Sequence, residues 1–189
     1  MTDRADRLAG YRHRREHFFA DHPHSPLNES QRARFSGLDY FPERADLALT
    51  LQMDESGPGV GEVVDIATTD GKVKPFVRTG SIAFEVDGAP VKLTVFRDGD
   101  RGGLFIPFRD ASAGKETYEV GRYLEPQSRP DGTLDIDFNY AYNPFCAYGE
   151  GWSCPIPPEE NRLEVTIPAG ERAFRSSIGE VLEISELSS

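Results

Sequence analysis

Four Asp-Gly steps, at 70–71, 87–88, 98–99 and 131–132, separate short runs in which apolar and polar side chains alternate. Asp-Gly supplies the positive backbone angles of a tight turn, and alternation puts every second side chain on one face of a strand. Together they commit the chain to antiparallel hairpins with one buried face each. The clearest runs are 47–53, 82–86, 91–95 and 163–167. About ten strands are expected, over 47–53, 62–68, 73–78, 81–86, 91–97, 104–108, 117–124, 133–139, 162–167 and 180–184. Their spacing predicts a mainly β fold, an antiparallel β-sandwich or barrel. No βαβ rhythm points to a parallel sheet.

Ahead of the strands, residues 3–22 predict a helix. Leu8, Tyr11, Phe18 and Phe19 share one stripe, which Arg14 and Arg15 interrupt. His22-Pro23 and Ser25-Pro26 end it, and a short second helix over about 28–36 is expected to start at an Asn28 cap. The chain should then be one domain, with an N-terminal helical arm over 1–42 packed on a β core over 43–185. A length of 189 residues suffices for one sizeable core.

Charge narrows the partners. A net charge of -11 repels phosphate backbones, so nucleic acid and anionic membrane surfaces are not expected partners. The cluster Arg12-His13-Arg14-Arg15 is flanked by acids and reads as a solvated helix face. Only four of the 21 basic residues are lysine, against 32 acids, which fits a salt-rich cytoplasm or a GC-rich genome. Apolar runs stay far below the roughly 20 residues of a membrane span, and the first residues lack the apolar region of a signal peptide. Cytoplasmic residence is the default expectation, and the sequence leaves the oligomeric state open.

From residue 104 the side chains change character. LFIPFRDASAGKETYEVGRYL places Arg109, Asp110, Tyr118, Arg122 and Tyr123 in or beside strands, where a purely structural sheet favours Val, Ile and Thr. In LDIDFNYAYNPFC, Leu134, Ile136 and Phe138 share one face, and Asp135, Asp137 and Asn139 share the other. That second face could line a polar pocket. Arg109, Arg122 and Arg162 offer forks of donors for a carboxylate or phosphate. Tyr118, Tyr123, Asn139, Tyr142, Asn143 and Asn161 supply further polar contacts. Asp110, Asp137 and Glu160 are acid or base candidates if burial raises a pKa. The leading reading is a module that binds a small polar or anionic ligand. Its rivals are a metal-independent hydrolase or isomerase, and a structural or interaction protein in which these groups only brace the sheet.

The segment NPFCAYGEGWSCPIPPEENRL, 143–163, holds both cysteines. The spacing Cys146-x7-Cys154 suits two buried thiols, a loop-closing disulfide, half a zinc site or a reactive thiol. All four histidines lie at or before residue 24, so no metal site is expected, and the sequence leaves the cofactor unknown. His13-Arg14-Arg15-Glu16-His17 spells an inverted zincin, but the chain turns β-rich where that chemistry needs a second helix. No serine sits in a nucleophile elbow, and GSI (80–82) and SAG (112–114) read as turns. The proline-rich segment is best described as a corner: Asn143-Pro144 breaks a strand, and Pro155, Pro157 and Pro158 keep the chain extended.

The blocks SPL (25–27), FSGLDYF (35–41), LFIPFRDASAGKETYEVGRYL (104–124), DFNYAYNPFCAY (137–148), CPIPPEENRL (154–163) and AGE (169–171) occur in an order that resembles the bacterial and archaeal family of domain of unknown function 1684. The likeness covers about residues 10 to 172. It implies a single uncharacterised domain and supplies no reaction. It places family-typical polar residues at Arg109, Asp110, Thr117, Tyr118, Arg122, Tyr123, Asp137, Asn139, Tyr142, Asn143, Cys146, Cys154, Glu160, Asn161 and Arg162. Ser112 stands where threonine is expected, and Phe145 where proline is.

Overall fold

A computed structural model describes residues 3–99 and 102–175. Within them eight strands form two antiparallel sheets. The strands are β1 (Ala48–Gln52), β2 (Val63–Ala67), β3 (Val73–Val86), β4 (Ala89–Asp98), β5 (Leu104–Phe108), β6 (Arg122–Leu124), β7 (Gln127–Ser128) and β8 (Thr133–Asp137). One sheet runs β1-β8-β7 and the other β2-β3-β4-β5-β6. Each Asp-Gly step falls at a hairpin. The tightest joins β3 to β4, where Asp87 and Gly88 both take positive φ, 50° and 81°, as a two-residue turn with the right twist requires.

The fold is mainly β and antiparallel, but a ten-strand sandwich or barrel is not what forms. Segments 73–78 and 81–86 are one 14-residue strand, with a bulge between Arg78 and Gly80. Gly80 therefore lies inside β3 and not in a turn. A Cβ there would stand 2.7 Å from the Asp54 carbonyl, and Asp54 and Ser81 exchange backbone hydrogen bonds across this close approach. Segment 162–167 makes only one parallel bridge, Arg109 to Arg162. Beyond it the Ile167 N–H is taken by the Asp110 side chain at 2.6 Å, which replaces a ladder. Segment 117–124 is strand only over its last three residues, and 138–140 winds into a 3-10 helix. The expected strand at 180–184 lies outside the described residues.

The main core fills the space between the sheets. Ile82, Leu93, Val95, Ile106 and Phe108 from the larger sheet meet Leu134, Ile136 and Phe138, with Leu47 and Ile167 completing the cluster. Burying such side chains is worth about 1.5–3 kcal/mol each. A second cluster, Ile66, Phe76, Phe96, Phe105 and Tyr123, forms separately.

α1 (Arg4–Asp21) starts where the Asp3 side chain accepts from Arg4 N–H, and it buries Leu8 and Phe19. α2 (Glu29–Arg32) is a single turn, shorter than expected, opened by a capping box of Asn28 and Gln31. Phe19, Leu27 and Tyr148 pack with Phe18, Phe35 and Leu38, so the arm is held by its own apolar cluster. Among the described residues no helix is long and apolar enough to cross a membrane.

Candidate functional site

The residues singled out in the sequence fall into separate places. Arg122 is 1% exposed, at the start of β6 in the middle of the molecule. Its guanidinium donates to the carbonyls of Ala169 (2.5 Å), Ile167 (2.9 Å) and Glu171 (3.2 Å), and reaches Asp110 at 3.3 Å. The Phe108 ring lies beneath it, 5.1 Å from Cζ. Asp110 is equally buried and also accepts from Ser112 Oγ at 2.9 Å. Burial pushes the guanidinium down from its ordinary value while Asp110 holds it charged. With both terminal nitrogens bonded to protein partners, Nε enclosed without a partner, and no open surface, Arg122 is not placed to meet a ligand.

A second buried pair lies close by, and sequence reasoning missed it. Arg15 interrupts the α1 stripe yet points inward, and its guanidinium sits 3.0 Å from Glu171, which is 1% exposed. Glu171 also accepts from the Asn143 N–H at 3.1 Å and from the Tyr148 hydroxyl. Burial pushes the Glu171 carboxyl up, against the opposing pull of Arg15, the Asn143 N–H and Arg122. One signal was available: Leu8, Tyr11, Arg15 and Phe19 follow one another at helical spacing, so Arg15 occupies an inward position.

The asparagines also brace. Asn139 bonds both backbone groups of Arg44 at 2.8 Å and donates to the Asp137 carboxylate at 2.7 Å. Asn161 does the same for Thr94 (2.7 and 2.9 Å) and reaches the Pro107 carbonyl at 2.8 Å. Asn143 donates to the Arg172 carbonyl at 2.8 Å. These three amides stand in for backbone partners where loops meet strands. Arg109 is exposed and donates to the Glu119 carbonyl, and Arg162 pairs with Glu159 at 3.0 Å. Glu160 pairs with Arg78 at 2.8 Å, and all four residues of these two pairs line one shallow groove beside β2. Asp110, Asp137 and Glu160 therefore lie in an interior, a cleft and a separate surface groove, and the structure does not gather them.

The open site is a cleft of about 570 Å³ between α1 and the smaller sheet. α1 contributes Arg4, Arg7 and Tyr11, at spacings that place all three on one helix face. β8 contributes Asp135, Ile136 and Asp137, and the chain around β6 and β7 contributes Leu124, Glu125, Gln127 and Arg129. The side chains of Ile136 and Leu124 turn away into the core, and the rings of Tyr11, Tyr140 and Tyr142 supply apolar surface to the cleft. Arg4 donates to Asp137 at 2.8 Å, Arg129 lies 2.8 Å from Asp135, and the Tyr142 hydroxyl donates to Glu125 at 2.6 Å. Burial and the adjacent Glu125 hold the Tyr142 phenol well above 10, so it stays a donor at neutral pH. Only Asp137 and Tyr142 of the expected site residues line this cleft.

Tyr118 and Tyr123 belong to the corner around the cysteines. The Tyr123 hydroxyl donates to the Pro155 carbonyl at 2.6 Å, and burial raises both phenols. Neither Cys146 nor Cys154 is bridged. Among the described residues no group of three or more His, Cys, Asp or Glu converges to hold a metal. In the zincin-like pentad, Glu16 instead accepts from the Leu38 N–H at 3.2 Å and His17 pairs with Asp21 on the exposed helix face.

The fold and these polar systems define a mainly β domain of two antiparallel sheets, whose helical arm is fastened by a buried ion pair and overhangs a charged cleft. The family described as "Protein of unknown function (DUF1684)" matches residues 33–172, and the chain belongs to it. It is similar to the solution NMR structure of an uncharacterized protein of Haloarcula marismortui, at 36% sequence identity and a TM-score of 0.66, over 89% of this chain and 93% of that one. No curated protein matches the sequence.

Proposed function

We propose that the protein is a binding module for a small polar ligand, held in the cleft between α1 and the β1-β8-β7 sheet. One observation carries the reading: the rings of Tyr11, Tyr140 and Tyr142 share one cleft with three guanidinium groups, Arg4, Arg7 and Arg129, and three carboxylates, Glu125, Asp135 and Asp137. This is the makeup of a ligand pocket, where apolar surface gives affinity and a few polar groups give orientation. The cleft's formal charges balance within a chain of net charge -11. The balance favours a neutral or zwitterionic polar molecule over a polyanion. Most of these groups are already paired with one another at the surface, where such pairs are worth about 0–1 kcal/mol. A ligand can therefore exchange into them at little cost.

The test is a thermal-shift screen of small metabolites followed by amide chemical-shift mapping of each hit. Shifts centred on Tyr11, Asp135 and Tyr140, with affinity lowered about tenfold or more in Arg129→Ala, are expected. Hits that map elsewhere, or a screen with none, would retire the reading.

A further inference from the structure

Thr69, in the turn between β2 and β3, ties the two cysteines together. Its hydroxyl lies 3.0 Å from Cys146 Sγ and accepts from the Cys154 N–H at 3.1 Å. Its own N–H donates to the Cys154 carbonyl at 3.0 Å. Both ends of the 146–154 loop are thus held by one residue, which sets the two cysteines side by side. Cys146 is half-buried and Cys154 is buried. Trp152, the single tryptophan of the chain, takes a hydrogen bond from Cys146 Sγ at its carbonyl (3.4 Å) and packs edge-on against Phe145 at 4.9 Å. None of these groups lines the cleft described above.

We propose that Cys146 and Cys154 form a thiol–disulfide exchange site whose reactant is a low-molecular-weight disulfide, RSSR. Cys146, the more accessible thiol, reacts first. As its thiolate attacks one sulfur of RSSR, the Thr69 hydroxyl, 3.0 Å away and otherwise donating to the Trp152 carbonyl at 3.1 Å, turns its proton to the sulfur. A Cys146–SR bond forms, the S–S bond of RSSR breaks, and the departing RS⁻ picks up the proton that Cys146 gave up. Cys154 Sγ then attacks Cys146 Sγ, the intramolecular bridge forms, and the second RS⁻ leaves and is protonated at the expense of the Cys154 thiol. The protein loses two electrons and two protons, and RSSR becomes two RSH. Burial, together with the neighbouring Cys146, pushes the Cys154 thiol up to about 12. Little of it is thiolate at neutral pH, so the second step is the slower one and the mixed disulfide accumulates first.

The experiment uses the reduced full-length protein with excess oxidised glutathione at mildly alkaline pH, followed by intact mass and Trp152 fluorescence. The expected course is a gain of one glutathionyl group, then its loss to leave the protein lighter by two hydrogens, with quenching of the Trp152 emission. Cys154→Ser is expected to stop at the single adduct, and Cys146→Ser to take none while native. Wild-type protein that ends with two glutathiones, halts at one, or keeps both thiols overturns the proposal. So does a natively folded Cys146→Ser protein that reacts at Cys154. If Cys154→Ser proves unstable, the wild-type time course alone still decides.

Discussion

Two ion pairs of the same chemical type sit in opposite surroundings. Arg122 and Asp110 are 0% and 2% exposed at the side chain, while Arg129 and Asp135 are 47% and 46% exposed. The buried guanidinium is wrapped by three carbonyls and a carboxylate and lies over an aromatic ring. The exposed one rims a cleft that also holds the rings of Tyr11, Tyr140 and Tyr142. In the interior, removing one partner strands the other in a low dielectric, so the pair is strongly coupled to folding. At the cleft water replaces either partner, and the same chemistry is only weakly coupled to folding. Residue type did not separate the two roles; solvent access did.

The sharpest way to break this contrast is Arg122→Ala. It leaves Asp110 buried without its counter-charge and the Ala169 and Glu171 carbonyls without the Arg122 donor. We expect a loss of about 3–5 kcal/mol, read from urea unfolding with the slope unchanged. A loss below about 1 kcal/mol, the range of surface pairs, would place Arg122 with the cleft residues. Gly170→Ala tests the backbone that carries this junction. Gly170 has φ of 78°, and a Cβ there would stand 2.6 Å from the Ala141 carbonyl and 2.7 Å from that of Phe138. Strain of this kind costs about 1–3 kcal/mol, so the variant should unfold at lower urea than wild type.

The hairpin skeleton was legible because Asp-Gly turns and alternation are local signals. The departures arise from long-range partners. Gly80 read as a turn, but its missing side chain makes room for the Asp54 backbone on another segment. Segment 163–167 alternates like a strand, yet the Asp110 carboxylate takes the backbone donor that a neighbouring strand would have used. The same limit applies to the site. Arg122, Asn139, Asn143 and Asn161 were visible as unusual letters for a sheet, and they are unusual because they complete irregular backbone. The cleft was harder to see. Arg4, Arg7 and Tyr11 reach it from a helix more than a hundred residues away in sequence from β8, and α1 itself precedes the span that the family match covers.

Glu171 sharpens the comparison through pH. Its carboxyl is raised on folding, chiefly by burial, so the native state binds that proton more tightly than the unfolded chain. The contribution is fully present below the ordinary value of 4.5 and is lost as pH rises through the raised native value. Stability measured by urea across this range should therefore show wild type gaining on Glu171→Gln toward acid and losing that margin toward neutrality. A margin that instead grows with pH would mean that Arg15 outweighs burial and holds the carboxyl below its ordinary value.

The smallest effect on stability is expected at the cleft. Arg129→Ala removes a guanidinium whose partner, Asp135, is solvated and also receives a hydrogen bond from Thr50 at 3.2 Å. Neither group is stranded, so the urea midpoint should move by no more than about 0.5 kcal/mol in free energy. Arg15 gives the matched control, since it belongs to the same helical arm that walls the cleft but faces inward to Glu171. Arg15→Ala should destabilise well beyond Arg129→Ala, although both remove one arginine from one ion pair. If the two cost the same, solvent access is not what divides these arginines, and the assignment of the cleft to binding loses its physical basis.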